Sequence, residues 1–245
     1  MMLRRVLLPT LLSVATLALH AETITLGAED DWYPYSGKVN GQAKGFAPDL
    51  ISEAFKAAGV DVKFESVPYA RCMEETKTGK LLGCFDAARN SQLEPNYLWH
   101  NKPMFSARIN IYALANSTES GLKPKDLEGK DVAVTNDYEY GDDFDSNTKI
   151  KRSVSNQDEQ GFRKLLAGRV KYMVAYEKVA NAVFEKNKAD FAGKFKAVGM
   201  TAEPGLFIAF SKTFPNSQQY VNKFNTGLEA IQKNGKYKEV EAKWK

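Results

Sequence analysis

Trp32, Tyr33 and Tyr35 crowd around Pro34 in the stretch DDWYPYSGKVNGQAKGFAPDL, Asp30 to Leu50. Aromatic faces of this kind stack on apolar side chains or hold a cation. Glu29, just ahead of them, is a carboxylate that could pair with a cationic group. A second loop, TNDYEYGDD from Thr135 to Asp143, sets Tyr138 and Tyr140 among Asp137, Glu139, Asp142 and Asp143. Its negative charge disfavours the anionic end of a ligand and suits a cation or a neutral polar group. Each stretch also has an ordinary reading: rings packed locally, and an acidic turn left in solvent. Catalytic chemistry is harder to find. The sequence carries no Gly-rich nucleotide loop, no Ser-His-Asp set, no Cys/His metal cluster and no acid–base pair whose spacing demands catalysis. His100, in LWHNKP, reads as structural. The pattern is one of binding, with no cofactor, no metal and no enzymatic activity expected.

The chain of 245 residues, 43% of them hydrophobic, can bury the core of one large domain or two small ones. The net charge is +4, and its Lys and Arg are dispersed, which argues against a nucleic-acid footprint. The N-terminus, MMLRRVLLPTLLSVATLALHA, places Arg4 and Arg5 before an apolar run from Val6 to about Leu19 and ends on Ala21. That order is a secretory signal peptide, and the run is short for a membrane span, which needs ~20 apolar residues. Cleavage after Ala21 is expected, and no Cys stands near the cut to signal a lipid anchor. Losing Arg4 and Arg5 takes the charge from +4 to +2. In an oxidising compartment the pair Cys72 and Cys84 is most simply a disulfide closing a short loop, worth roughly 3 kcal/mol. A metal site or a catalytic thiol is the alternative. It is disfavoured because the sequence holds only 2 His, one of them (His20) in the leader.

Hydrophobic periodicity supplies the elements that must position these groups. Thr23 to Ala28 reads as a strand, Phe46 to Ala58 as a helix, Asp61 to Val67 as a strand, Tyr69 to Thr78 as a helix and Lys80 to Ala87 as a strand. An extended run follows, Ser106 to Ala115, and the pattern then restarts with a strand at Asp131 to Thr135. A strand at Ile150 to Val154, a helix at Asp158 to Ala167, a strand at Val170 to Ala175, a helix at Glu177 to Lys188 and a strand at Lys194 to Val198 complete a second unit. A second extended run, Leu206 to Phe210, leads to two closing helices from Asn216 and Lys236. Alternating strands and helices favour parallel sheets flanked by helices. Two such units joined by two extended segments predict two lobes with a two-strand hinge and a ligand cleft at the carboxyl ends of the strands.

Local patterns in this order resemble the bacterial periplasmic solute-binding proteins of the polar amino-acid type, family three, the soluble receptors of ABC importers. They are TLGAEDDWYPYSG, GFAPDL at Gly45 to Leu50, DLEGK before the second-unit strand, LLAGRVKYMVAYE at Leu165 to Glu177 and the ending NGKYKEVEAKWK. The resemblance covers essentially the whole chain after the leader. It implies the type II two-lobed periplasmic binding protein fold: residues 1–21 signal peptide, 22–108 the first part of lobe 1, 109–205 lobe 2, and 206–245 the return to lobe 1. It also implies a monomeric periplasmic receptor that closes on a small polar, amino-acid-like solute, cationic or aromatic in character, and presents it to an inner-membrane ABC permease.

The resemblance puts Trp32 where a ring stacks on the ligand, with Tyr33 as a further candidate and Glu29 as a partner for a cation. It puts the loop of Tyr138 beside the cleft. At both amino-acid anchors the chain departs from the family. The Arg that grips an α-carboxylate falls near Leu93 or Glu94, leaving Arg89 or Arg71 as substitutes, and Tyr176 stands where an Asp takes the α-ammonium. These departures weaken the case for a standard α-amino acid. A stand-alone ligand sensor of the same fold is the alternative, and a dehydratase on this fold a more distant one.

Overall fold

A computed structural model of the protein describes residues 22–244. The expected signal peptide, residues 1–21, lies outside them.

The first unit opens with β1 (Glu22–Glu29) and a ribbon of β2 (Asp31–Trp32), β3 (Ser36–Val39) and β4 (Gln42–Lys44). It continues with α1 (Phe46–Ala57), β5 (Val60–Val67), α2 (Tyr69–Lys77), β6 (Gly83–Ala88), β7 (Leu98–Trp99) and β8 (Phe105–Ser106). The second holds β9 (Ile109–Leu114), β10 (Asp131–Thr135), α3 (Asp142–Asp145), β11 (Lys151–Ser155), α4 (Asp158–Leu166), β12 (Tyr172–Tyr176), α5 (Glu177–Lys186), α6 (Lys188–Phe191) and β13 (Phe195–Ala202). The chain ends with β14 (Gly205–Phe210), α7 (Ser217–Lys233) and α8 (Lys236–Ala242).

The strands form two large sheets of the same plan. One has the order β5-β1-β6-β14-β7, with β8 paired to β14; the other has the order β11-β10-β12-β9-β13. In each, three parallel strands carry the fold (β1 with β5 and β6, β10 with β11 and β12) and an antiparallel strand follows. The chain crosses between sheets twice, from Ser106 to Ile109 and from Ala202 to Gly205, and Ser106 pairs with Gly205 at the crossing. The extended run read from Ser106 to Ala115 is therefore broken. Its start pairs in the first sheet and the rest, from Ile109, in the second. The ribbon β2–β4 escaped the sequence reading because its strands are too short to show alternation.

Helix α1 shows why these elements form. Leu50, Ile51, Ala54 and Phe55 recur on one face and are fully buried. Each large side chain contributes roughly 1.5–3 kcal/mol by leaving water. That face packs on α7, and the approach is so close that a Cβ at Gly227 would lie 1.8 Å from the Ala54 carbonyl oxygen. Cys72 of α2 and Cys84 of β6 form a disulfide that ties helix to sheet. No helix among the described residues is long and apolar enough to cross a membrane.

Parallel strands bring the carboxyl ends of β1, β5 and β6 to one edge, and those of β10, β11 and β12 to another. Contacts such as Trp32 edge-on to Tyr176, with ring centroids 4.8 Å apart, show that these edges face each other.

Candidate functional site

Seven side chains enclose a small space between the two edges: Glu29, Trp32, Tyr69 and Asp86 from the first sheet's side, and Tyr138, Glu139 and Tyr176 from the second's. Its volume is about 10 Å³. Tyr138 and Glu139 also line a wider groove of about 650 Å³ on the outer side, between α2, the loop after β6 and the loops after β10.

Each wall is built by local chain geometry. Glu29 ends β1, and Tyr69 is the first residue of α2, one residue, Pro68, beyond the end of β5. Asp86 is set by a bulge. On β14, Phe207 faces Ala87 and the next residue, Ile208, faces Phe85, so Asp86 has no partner across the ladder. Asp86 accordingly has φ +67°, in the left-handed region that Asp tolerates better than most residues. Bulges of this kind re-aim a side chain. The displaced Ile208 N–H is taken by Nε2 of His100 at 2.9 Å, while Nδ1 lies 2.7 Å from the Lys102 carbonyl oxygen. Burial pushes the His100 pKa down to about 3, so the ring is neutral and Nδ1–H donates.

The electrostatics of the enclosed space are one-sided. Glu29, Asp86 and Glu139 are all buried, and no Lys, Arg or His is among its lining side chains. Burial raises the carboxyls of Glu29 and Asp86 well above their ordinary range and pushes Glu139 up to about 8. Two tyrosine hydroxyls partly answer this charge, and a third serves the backbone beside it. Tyr138 donates to Glu29, Tyr69 to both oxygens of Glu139 at 3.1 and 2.9 Å, and Tyr176 to the Glu139 carbonyl at 2.9 Å. Both carboxylate oxygens of Asp86 and the Trp32 Nε1–H are buried without a protein partner. Buried polar groups in folded proteins are as a rule paired; these three orphan atoms belong to residues that line the enclosed space, whereas those of Thr76, Ser155, Asp158 and Thr201 do not.

A sequence profile of the family described as bacterial extracellular solute-binding proteins, family 3, matches residues 24–245. The chain belongs to that family. It is 20% identical over 225 residues to the arginine-binding extracellular protein ArtP of Bacillus subtilis (strain 168), spanning 90% of this chain and 85% of ArtP. Its fold is similar to an ancestral arginine-binding protein bound to arginine, at TM-score 0.76 and 24% identity, covering 92% of this chain and 99% of the other. It is also similar in fold to a histidine kinase sensor domain with similarity to periplasmic binding proteins, at TM-score 0.79 and 20% identity, covering 91% of this chain and 95% of the other.

In this solute-binding protein, four of the residues singled out from sequence meet in the enclosed space: Glu29, Trp32, Tyr138 and Tyr176. Three stand apart from it. Tyr33 is 49% exposed and lies edge-on to Trp244 at 5.9 Å. Arg71 falls on the face of α2 opposite Tyr69, Cys72, Met73 and Thr76, and pairs with Glu75 at 3.0 Å. Arg89 pairs with Glu94 and lays its guanidinium over Trp99 and Phe207, at 5.8 and 5.9 Å from the ring centroids. Neither Arg lines either cavity described above. The sequence reading did not single out Tyr69 or Asp86, and it treated Glu139 only as one charge in an acidic loop. A lone carboxylate in the buried strand GCFDAA was the signal available for Asp86.

Proposed function

We propose that this protein is a periplasmic receptor that captures a small, positively charged solute of amino-acid size between its two lobes and hands it to an ABC importer. The observation that carries the reading is the set of Glu29, Asp86 and Glu139, buried together among aromatic rings with no basic side chain in the lining. Bringing three carboxylates out of water into one space is unfavourable unless each is protonated or a cation joins them. The free energy of closing the lobes is therefore coupled to cation binding. An open cleft solvates the carboxylates, and a cation makes the closed form favourable. The same closure hides Trp32 and Tyr69 and joins the two lobes along one face, which gives a permease a signal that the site is loaded. The signal-like leader supports export, and the family supports a role outside the cytoplasm.

The test is a thermal-shift panel. Protein purified from the periplasm is unfolded and refolded with its disulfide intact, so that carried-over solute is removed, and is then screened against cationic, neutral and anionic small molecules. A ligand in large excess over its Kd raises the midpoint. Shifts confined to cationic solutes are expected. A strong shift with an anionic or neutral solute, and none with any cation, overturns the reading.

A further inference from the structure

The hydrogen-bonding inventory of the cleft narrows the solute further. Resting on the cation-receptor reading, we propose that the ligand is an organic dication without a carboxylate, of the diamine or guanidino-alkylamine class.

The inventory is short of donors. The hydroxyl protons of Tyr69, Tyr138 and Tyr176 are already committed to Glu139, Glu29 and the Glu139 carbonyl. Among the lining side chains this leaves the Trp32 Nε1–H as the orphan donor, against two orphan acceptors on Asp86, which is 4% exposed. An α-amino acid brings a carboxylate, which needs several donors or an arginine fork. Arg71 and Arg89 are engaged outside the cleft. Arg152, on the outer groove, gives its terminal nitrogen to the carbonyls of Phe144, Asp145 and Asn147, while Lys77 also lines that groove, so the shortage of donors is a property of the inner space. A ligand carboxylate in the inner space would be met only by one indole N–H and by the protons the three buried acids themselves hold, whereas a cationic end replaces those protons.

Two cationic ends fit the placement of the acids. Glu29 and Asp86 belong to the first lobe and Glu139 to the second, so a molecule charged at both ends is gripped from both sides. Among the described residues no group of His, Cys, Asp and Glu could hold a metal ion. Carboxylates spread in this way around aromatic rings suit ammonium or guanidinium groups joined by a hydrocarbon body. The inner space, about 10 Å³, must widen to take such a molecule, and Tyr138, which lines both it and the outer groove, is the side chain placed to make room.

The experiment is titration calorimetry on the stripped, refolded protein with pairs that differ only in the carboxylate: cadaverine against lysine, putrescine against ornithine, and agmatine against arginine. The decarboxylated member of at least one pair is expected to bind more tightly by roughly ten-fold or more, and Asp86→Asn to weaken it by at least about ten-fold. Because Asp86 sits in a bulge, Glu139→Gln is measured alongside, with the same loss expected. If in every pair that binds the amino acid is held as tightly as its decarboxylated partner, or more tightly, the inference is overturned and the cation reading stands. Binding by none of the six compounds overturns the inference, and the thermal-shift panel then decides the wider reading separately.

Discussion

Tyr69 of the first lobe donates its hydroxyl to both carboxylate oxygens of Glu139 in the second, at 3.1 and 2.9 Å. This contact spans the cleft and places its only proton between a ring that can touch the solute and an acid that can pair with it. The backbone N–H of Ala88 approaches the same carboxylate at 3.4 Å, and Ser91 meets Asp142 at 2.8 Å nearer the rim. Closure is thus fastened by acids of the second lobe on donors of the first, and in the opposite sense by Tyr138 of the second lobe, which donates to Glu29 of the first.

Removing the fastening should weaken capture without unfolding the protein. In Tyr69→Phe the affinity for the bound cation is expected to fall by roughly ten-fold, the worth of a hydrogen bond to a charged acceptor, ~1.5 kcal/mol. Calorimetric titration measures it. An unchanged Kd would show that the contact does not help to hold the closed form.

The pH dependence has a definite sign. Burial raises Glu139 from 4.5 to about 8, and raises Glu29 and Asp86 in the same direction. Between about pH 4.5 and 8 the closed protein holds protons that the unfolded chain has released, so ligand-free stability falls as pH rises. A cation replaces those protons, and its affinity rises across the same window. Glu22 and Glu119, lowered by hydrogen bonds from Lys223 and Lys171, act the opposite way, losing their contribution only as pH falls below the ordinary carboxylate range. Scanning calorimetry from about pH 5 to 8.5, with and without ligand, is the check. A ligand-free Tm that climbs steadily through this range would contradict the assignment.

Arg89 and Arg71 should prove dispensable for binding. Each is paired with a neighbouring Glu at a partly exposed position. Such pairs are worth ~0–1 kcal/mol. Arg89→Ala and Arg71→Ala are expected to leave the solute Kd within about two-fold. A loss of about a hundred-fold in either would restore that Arg as a carboxylate anchor and require a rearranged loop.

The disulfide and Gly27 should be coupled. Replacing both cysteines with Ser is expected to cost about 3 kcal/mol, or roughly 6–12 °C in Tm for a chain of this size. A Cβ at Gly27 would lie 2.5 Å from Cys72 Sγ and 2.8 Å from Leu81 Cδ1. Gly27→Ala should therefore destabilise the oxidised protein by ~1–3 kcal/mol, and by less once Ser replaces the bulkier sulfur. Denaturant unfolding of the four variants measures the coupling, and strict additivity would contradict it.

What the sequence made legible follows from which signals are local. Amphipathic helices such as α1 and α7, and the strands β1, β5 and β10, announce themselves by period, and Gly59, Gly79 and Gly168 mark where helices stop. Glu29 was visible as the carboxylate that ends the first strand, and Trp32, Tyr138 and Tyr176 through the positions that the family resemblance gives them. Asp86 was not, since its position depends on a bulge against β14, contributed by chain more than a hundred residues away. Tyr69 reads as the opening of a helix, and only the docking of the second lobe gives its hydroxyl a partner. The engagement of Arg89 with Trp99 and Phe207 is likewise a tertiary fact, since Phe207 arrives with the returning chain.

The most direct measurement is a crystal structure of the refolded protein with the solute that shifts its Tm most. A cationic nitrogen of the ligand is expected to be hydrogen-bonded to the Asp86 carboxylate, with Tyr138 turned away from Glu29 and the Tyr69–Glu139 contact kept. A ligand bound elsewhere, or an anionic group of the ligand seated against Asp86, would contradict it.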